Sequence, residues 1–130
     1  MSRFLVDTQT WLWMVAEPAR LSDSTRDLLA DPRSELLLSA ASSWEIAIKY
    51  RLGKLPLPKP PVRFIPELLR LSGTVPLAIE HDHTLRVADL PDHHRDPFDR
   101  LIVAQAQCLE VPIVTADRQL SAYDVSVVSA

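Results

Sequence analysis

Cysteine, glycine and lysine are all scarce in this chain. Of its 130 residues one is a cysteine, Cys108, so no internal disulfide can form and nothing calls for an oxidising compartment. The longest unbroken apolar run, Trp11–Ala16, has six residues, far below the ~20 that a bilayer-spanning helix needs. A secretory signal is not expected either, because Asp7 interrupts the first apolar stretch and Arg3 alone precedes it as a basic residue. A cytoplasmic protein without membrane contact is the expectation. Positive charge is not in excess: 14 basic against 17 acidic residues leave a net charge of −3, which disfavours a nucleic-acid binder built on a basic patch. Only Lys49, Lys54 and Lys59 are lysines, and eleven of the basic residues are arginine. Arginine suits bidentate phosphate contacts, so a polyanionic partner stays open. The 47% hydrophobic and 24% charged composition is that of an ordinary globular chain. Residues 1–130 are expected to form one domain, since most domains hold roughly 100–150 residues.

With two glycines and 11 prolines, the chain is punctuated mainly by proline. Leu55–Pro61 must be extended, because proline fixes φ and pushes the preceding residue out of the helical region. Elsewhere, short apolar runs alternate with helical patterns. Strands are predicted at Arg3–Val6, Leu36–Leu38, Val75–Leu77, Val111–Thr115 and, at an edge, Val125–Val128. Helices are predicted from a Thr8 cap to Met14, over Ser22–Ala30, Ser42–Leu52, Val62–Leu71 and Glu80–Ala88, then from Pro97 to Leu109, with a short turn after Asp117. That alternation predicts an α/β fold, with a mostly parallel central sheet and helices on both faces.

Sites in such folds form beyond the carboxyl ends of the strands. Asp7 follows the first predicted strand, Asp117 follows the fourth, and Glu45, Asp96 and Asp99 sit near helix starts. Acids gathered there repel one another, and a hard divalent cation such as Mg²⁺ is the natural neutraliser. Structural readings compete with this one. Ser42-Ser-Trp-Glu45 has the form of a capping box, Asp96 and Asp99 flank a proline at a helix start, and Asp117 can cap. Asp7 is the hardest to explain structurally. Trp11 and Trp44 are expected in the core, as is Cys108. His81, His83, His93 and His94 fit no familiar zinc spacing and are expected to be exposed.

Four motifs carry a resemblance across nearly the whole chain: Phe4-Leu-Val-Asp-Thr8; Ser43-Trp-Glu-Ile-Ala-Ile-Lys49 with Gly53-Lys-Leu55; His94-Arg-Asp-Pro-Phe-Asp-Arg-Leu-Ile-Val-Ala-Gln105; and Val114-Thr-Ala-Asp117. In this order they resemble the PIN-domain ribonucleases, and most closely the toxin subunits of VapBC toxin–antitoxin pairs. The resemblance implies a PIN-like three-layer fold and a metal-dependent endoribonuclease with Mg²⁺, or Mn²⁺ in its place. It places the metal-binding, catalytic acids at Asp7, Glu45, Asp99 and Asp117, and a supporting hydroxyl at Thr115. Asp96 is left as cap, support or further ligand. It also implies an RNA substrate, a small antitoxin partner and a homodimer. The antitoxin is expected in a groove beside the first and third helices, walled by Trp11 or Trp13 and by Trp44. Arg95, Arg100 and Arg118 are candidates for RNA phosphates. Lys49 is another, although at four residues from Glu45 it suits a helical ion pair equally well.

Two other functions compete. A free-standing PIN nuclease would lack the antitoxin. A receiver-like Mg²⁺-binding signalling domain would need a lysine near its last strand, and none follows Lys59.

Overall fold

The computed structural model describes residues 2–130. Five strands, β1 (Ser2–Val6), β2 (Ser34–Ser39), β3 (Val75–Leu77), β4 (Ile113–Thr115) and β5 (Val127–Ser129), form one sheet in the order β3-β2-β1-β4-β5. Every pairing is parallel. The order differs from the 2-1-3-4-5 of the flavodoxin-like receiver fold. Six α-helices connect the strands: α1 (Thr8–Ala16), α2 (Asp23–Ala30), α3 (Ala40–Arg51), α4 (Pro61–Ser72), α5 (His81–Arg86) and α6 (Pro97–Leu109).

Side chains alternate across a strand, and that period of two divides the core. Leu5, Leu37 and Ile113, register partners on β1, β2 and β4, share one face with Ile102, Val103 and Ala106 of α6. Phe4, Val6, Leu36, Leu38 and Val114 share the other with Trp11 of α1, Leu29 of α2, Ile46 of α3 and Ile65 of α4. With α5 against α6, the molecule has three layers. Both sheet faces are covered, as a parallel sheet requires. The edges are β3, which tolerates Pro76 for that reason, and β5. Among the described residues no helix is long and apolar enough to cross a membrane.

Several expectations shift at the residue level. Asp7, not Thr8, caps α1, its carboxylate accepting from the Thr10 N–H. Ser39, not Ser42, caps α3, which moves Glu45 beyond the first turn and removes the capping-box reading. Trp11 is fully buried as expected, its indole N–H donating to Thr74 Oγ1 at 3.1 Å. Trp44 is 60% exposed. On α3 the buried positions are Ala41, Ser42, Glu45 and Ile46, so Trp44 projects from the other side, where it makes an edge-to-face pair with Phe98. Cys108 is exposed on α6 rather than in the core. His83 is buried, its Nδ1 accepting the Glu80 N–H at the start of α5, so it too departs from expectation.

Candidate active site

Connections leave β1 and β4 toward opposite edges of the sheet, and ligands in α/β folds settle at such a switch point. Asp7 stands at the carboxyl end of β1 and Asp117 two residues beyond β4. Glu45 on α3, Asp99 in the first turn of α6 and Asp96, its cap, complete the group. All five acids line one cleft of about 350 Å³, together with Thr8 and Lys49.

Four of the five acids have a defined set of donors. Asp7, 7% exposed, accepts from the Thr10 N–H through Oδ1 and from the Thr115 hydroxyl through Oδ2. The same Thr115 oxygen accepts the Asp117 N–H at 3.0 Å, so one hydroxyl ties the ends of β1 and β4 together. Buried Glu45 accepts from Thr8 Oγ1 at 2.8 Å and from Lys49 Nζ at 2.7 Å. Asp96 accepts the Phe98 N–H at 2.8 Å, an N-cap that leaves its second oxygen free of helix work. Asp117 caps the 3-10 turn Arg118–Ala122 through Oδ1.

The structure also places His94, which the sequence suggested would be exposed, among these acids. Its Nε2 lies 2.9 Å from Asp117 Oδ2 and 3.3 Å from Asp99 Oδ2. Its place at the head of the third motif was the available signal. The partner Asp117 is far along the chain, so spacing alone did not reveal the contact. The basic candidates divide. Lys49 pairs with Glu45 on the cleft wall, while Arg95 and Arg118 are exposed. Arg100 turns away from the cleft, its guanidinium donating to the carbonyls of Pro91, Val87 and Leu90 and to the Tyr123 hydroxyl. Of the phosphate candidates, Arg100 is thus the one whose guanidinium is bonded to main-chain carbonyls outside the cleft.

Crowding of negative charge shows in the titration of the site. Burial, then Asp96, Glu45 and Asp7, push the Asp99 carboxyl up to about 7, against the opposing pull of His94. Burial also raises Asp7, against the lowering effect of its Thr10 and Thr115 hydrogen bonds. The Lys49 ammonium is held above its usual range, mainly by its hydrogen bond to Glu45. A cleft of hard carboxylate oxygens that raise one another's proton affinity suits a hard divalent cation.

Residues 4–126 match the PIN domain. The chain belongs to the PIN domain family. Within it, the chain is 53% identical over 62 residues to ribonuclease VapC16 of Mycobacterium tuberculosis, a stretch covering 48% of this chain and 44% of that protein. The PIN fold is shared with the structure of VapBC2 from Rickettsia felis bound to a promoter DNA fragment, at TM-score 0.72 and 14% identity over 98% of both chains. It is shared too with VapBC-5 of M. tuberculosis, at TM-score 0.63 and 17% identity over 100% of both chains. At these identities the two structures speak for the fold alone.

Proposed function

We propose that this PIN domain is a metal-dependent endoribonuclease and the toxin of a type II toxin–antitoxin pair. The observation that carries the reading is the convergence of Asp7, Glu45, Asp99 and Asp117 on one cleft at the sheet's switch point. We assign these four as catalytic metal ligands, with Thr115 holding Asp7 and Asp117 in place and Asp96 as an adjoining acid. Mg²⁺, with Mn²⁺ as substitute, would activate water at this site and offset charge on the phosphoryl oxygens. The chain's own part is to present the carboxylates, with Thr8 and Lys49 fixing Glu45 and Thr115 fixing Asp7. Exposed Arg95 and Arg118, and the half-exposed Lys49, flank the cleft as phosphate contacts for RNA. The relative of 53% identity is named a ribonuclease, which supports the same chemistry.

The antitoxin reading rests on the VapBC complexes among the structural relatives and on an apolar cleft of about 530 Å³. Met14, Val15, Leu21, Leu29, Leu68 and Leu71 line it, between α1, α2 and α4. This is not the α1–α3 groove expected from sequence, because Trp11 is sealed in the core and Trp44 stands elsewhere on α3. We place the apolar segment of a small antitoxin in it, on a cytoplasmic homodimer.

Purified protein is expected to cut RNA with Mg²⁺ or Mn²⁺ and to stop in EDTA; undiminished cleavage in EDTA would sink the metal mechanism. Expressed alone, the chain should slow growth, Asp7→Ala should abolish that effect, and the product of the neighbouring gene should relieve it. RNA cleavage without toxicity or a small partner would leave a free-standing PIN nuclease.

A further inference from the structure

His94, Asp99 and Asp117 bring one nitrogen and two carboxylate oxygens within 4.8 Å of one another, the spacing of a three-ligand metal site. The hydrogen bonds around the imidazole decide against that role. Its Nδ1 accepts the main-chain N–H of Asp96 at 3.0 Å. A ring nitrogen that accepts carries no proton, so a ring whose Nδ1 accepts must carry its proton on Nε2. Nε2 then has no lone pair for a metal. It points instead at Asp117 Oδ2, 2.9 Å away, with Asp99 Oδ2 at 3.3 Å.

Two further contacts hold the main chain that carries the ring. The His94 backbone N–H donates to the Tyr123 hydroxyl at 2.9 Å, and that hydroxyl also receives Arg100 Nη1 at 3.3 Å. The side chain is 14% exposed. Its surroundings are therefore fixed on both sides, by the α6 cap through Nδ1 and by the cleft acids through Nε2.

We propose that His94 is a positioning residue whose Nε2–H holds the Asp117 carboxylate, next to Asp99, in the orientation that receives the cation. The proposal rests on the metal-dependent reading above. Asp117 is the most exposed of the three groups, at 36% of its side chain, and its Oδ1 is already committed to the Gln119 N–H. The histidine fixes the remaining oxygen. It orders the acids without adding a soft ligand, so the site keeps the all-oxygen character that favours Mg²⁺ and Mn²⁺.

The two ring nitrogens can be tested apart. His94→Gln offers an amide N–H near the Nε2 position and keeps a donor for Asp117. His94→Asn offers a carbonyl oxygen near the Nδ1 position and keeps the acceptor for Asp96. His94→Phe keeps neither. Titration calorimetry with Mn²⁺ on the full chain should show about a 10–100-fold loss of affinity for Phe and Asn, the size typical when a group supporting a metal ligand is removed. Gln should recover most of it. RNA cleavage should show the loss at low Mn²⁺ and recover at saturating Mn²⁺. Long-range ¹H–¹⁵N spectra of the metal-free wild type should report a proton on Nε2 and none on Nδ1, independently of whether any variant folds.

Wild-type affinity in all three variants would overturn the proposal, as would retention in Asn with loss in Gln, which would make the imidazole a loop support only. An Nδ1–H tautomer, or paramagnetic broadening showing Mn²⁺ bound directly to Nε2, would replace the donor by a ligand. Failure of the wild type to bind Mn²⁺ at all would instead remove the metal-dependent reading on which the proposal stands.

Discussion

Arg100 follows Asp99 in the chain, yet its side chain serves the fold. One guanidinium edge gathers the carbonyls of Val87 and Leu90, and the other reaches Pro91 and the Tyr123 hydroxyl. The segment carrying these carbonyls is a single 3-10 turn, Val87–Asp89, and the loop after it, so few of its C=O groups are paired within it. Its ion pair with Asp92 adds little, at 3.8 Å with Asp92 fully exposed. Arg100→Ala is therefore expected to lower stability by about 1–3 kcal/mol, because several hydrogen bonds to one charged group vanish together. Arg95→Ala and Arg118→Ala remove exposed side chains and should change stability by less than about 0.5 kcal/mol, while weakening RNA binding. Chemical denaturation read beside an RNA-binding titration separates the two classes. Equal stability of all three variants would show that Arg100 does not pin the segment.

Helix starts carry much of the site, which is why the sequence showed its acids so readily. The helix from Pro97 to Leu109 occupies the predicted span, because Asp96-Pro97 sets its first turn by local chemistry. The α/β alternation, the parallel sheet and the edge position of β5 were legible for the same reason, since apolar runs and caps are local signals. Capping positions one to three residues away were not: Thr8 yields to Asp7, and Ser42 to Ser39. Neighbouring serines and threonines offer equivalent cap oxygens, and packing chooses among them. The surroundings of His94 and Trp44 were not legible because they depend on partners elsewhere in the chain, Asp117 and Phe98, and the same holds for the Arg100 contact with Tyr123. Asp7 shows how closely element and site are joined, since one carboxylate both caps α1 and faces the cleft. Asp7→Asn keeps a capping oxygen and removes a buried charge, so the metal-free fold should be as stable as wild type or more so. Asp7→Ala loses the cap as well and should cost about 1 kcal/mol relative to Asn. Both should abolish cleavage. An Asn variant that remains active would remove Asp7 from the metal ligands.

Across the whole molecule, the buried and crowded acids make stability depend on pH in a direction opposite to ordinary acid denaturation. A carboxyl group whose pKa is higher in the folded protein than in the unfolded chain binds its proton more tightly when folded. Its contribution to stability is fully present below the unfolded value, near 4, and is lost as pH rises through the folded value. Asp99, at about 7, sets the upper end of that window. Asp7, also raised, acts in the same direction. Groups of the opposite kind do not interfere there. Asp31, hydrogen-bonded by Arg33, lies at about 2, and Glu67, hydrogen-bonded by Lys59, is lowered as well. What they contribute is present above the unfolded carboxylate range and fades only as pH falls below about 4. Between pH 5 and 8 the metal-free protein is therefore expected to lose thermal stability, most steeply at about pH 5–6, between the unfolded and folded values, and levelling off above about pH 7. A divalent cation that binds only the folded state adds stability by mass action, and it binds best where the acids are ionised. Melting curves in chelator should fall from pH 5 to 8, whereas those in excess Mg²⁺ should stay flatter, with the gap widening toward pH 8. Asp99→Asn should flatten the chelator series and narrow the Mg²⁺ gap together, because the same carboxylate is responsible for both. A chelator series that rises with pH across this window would mean that burial and mutual repulsion do not raise Asp99 and Asp7 in the folded protein.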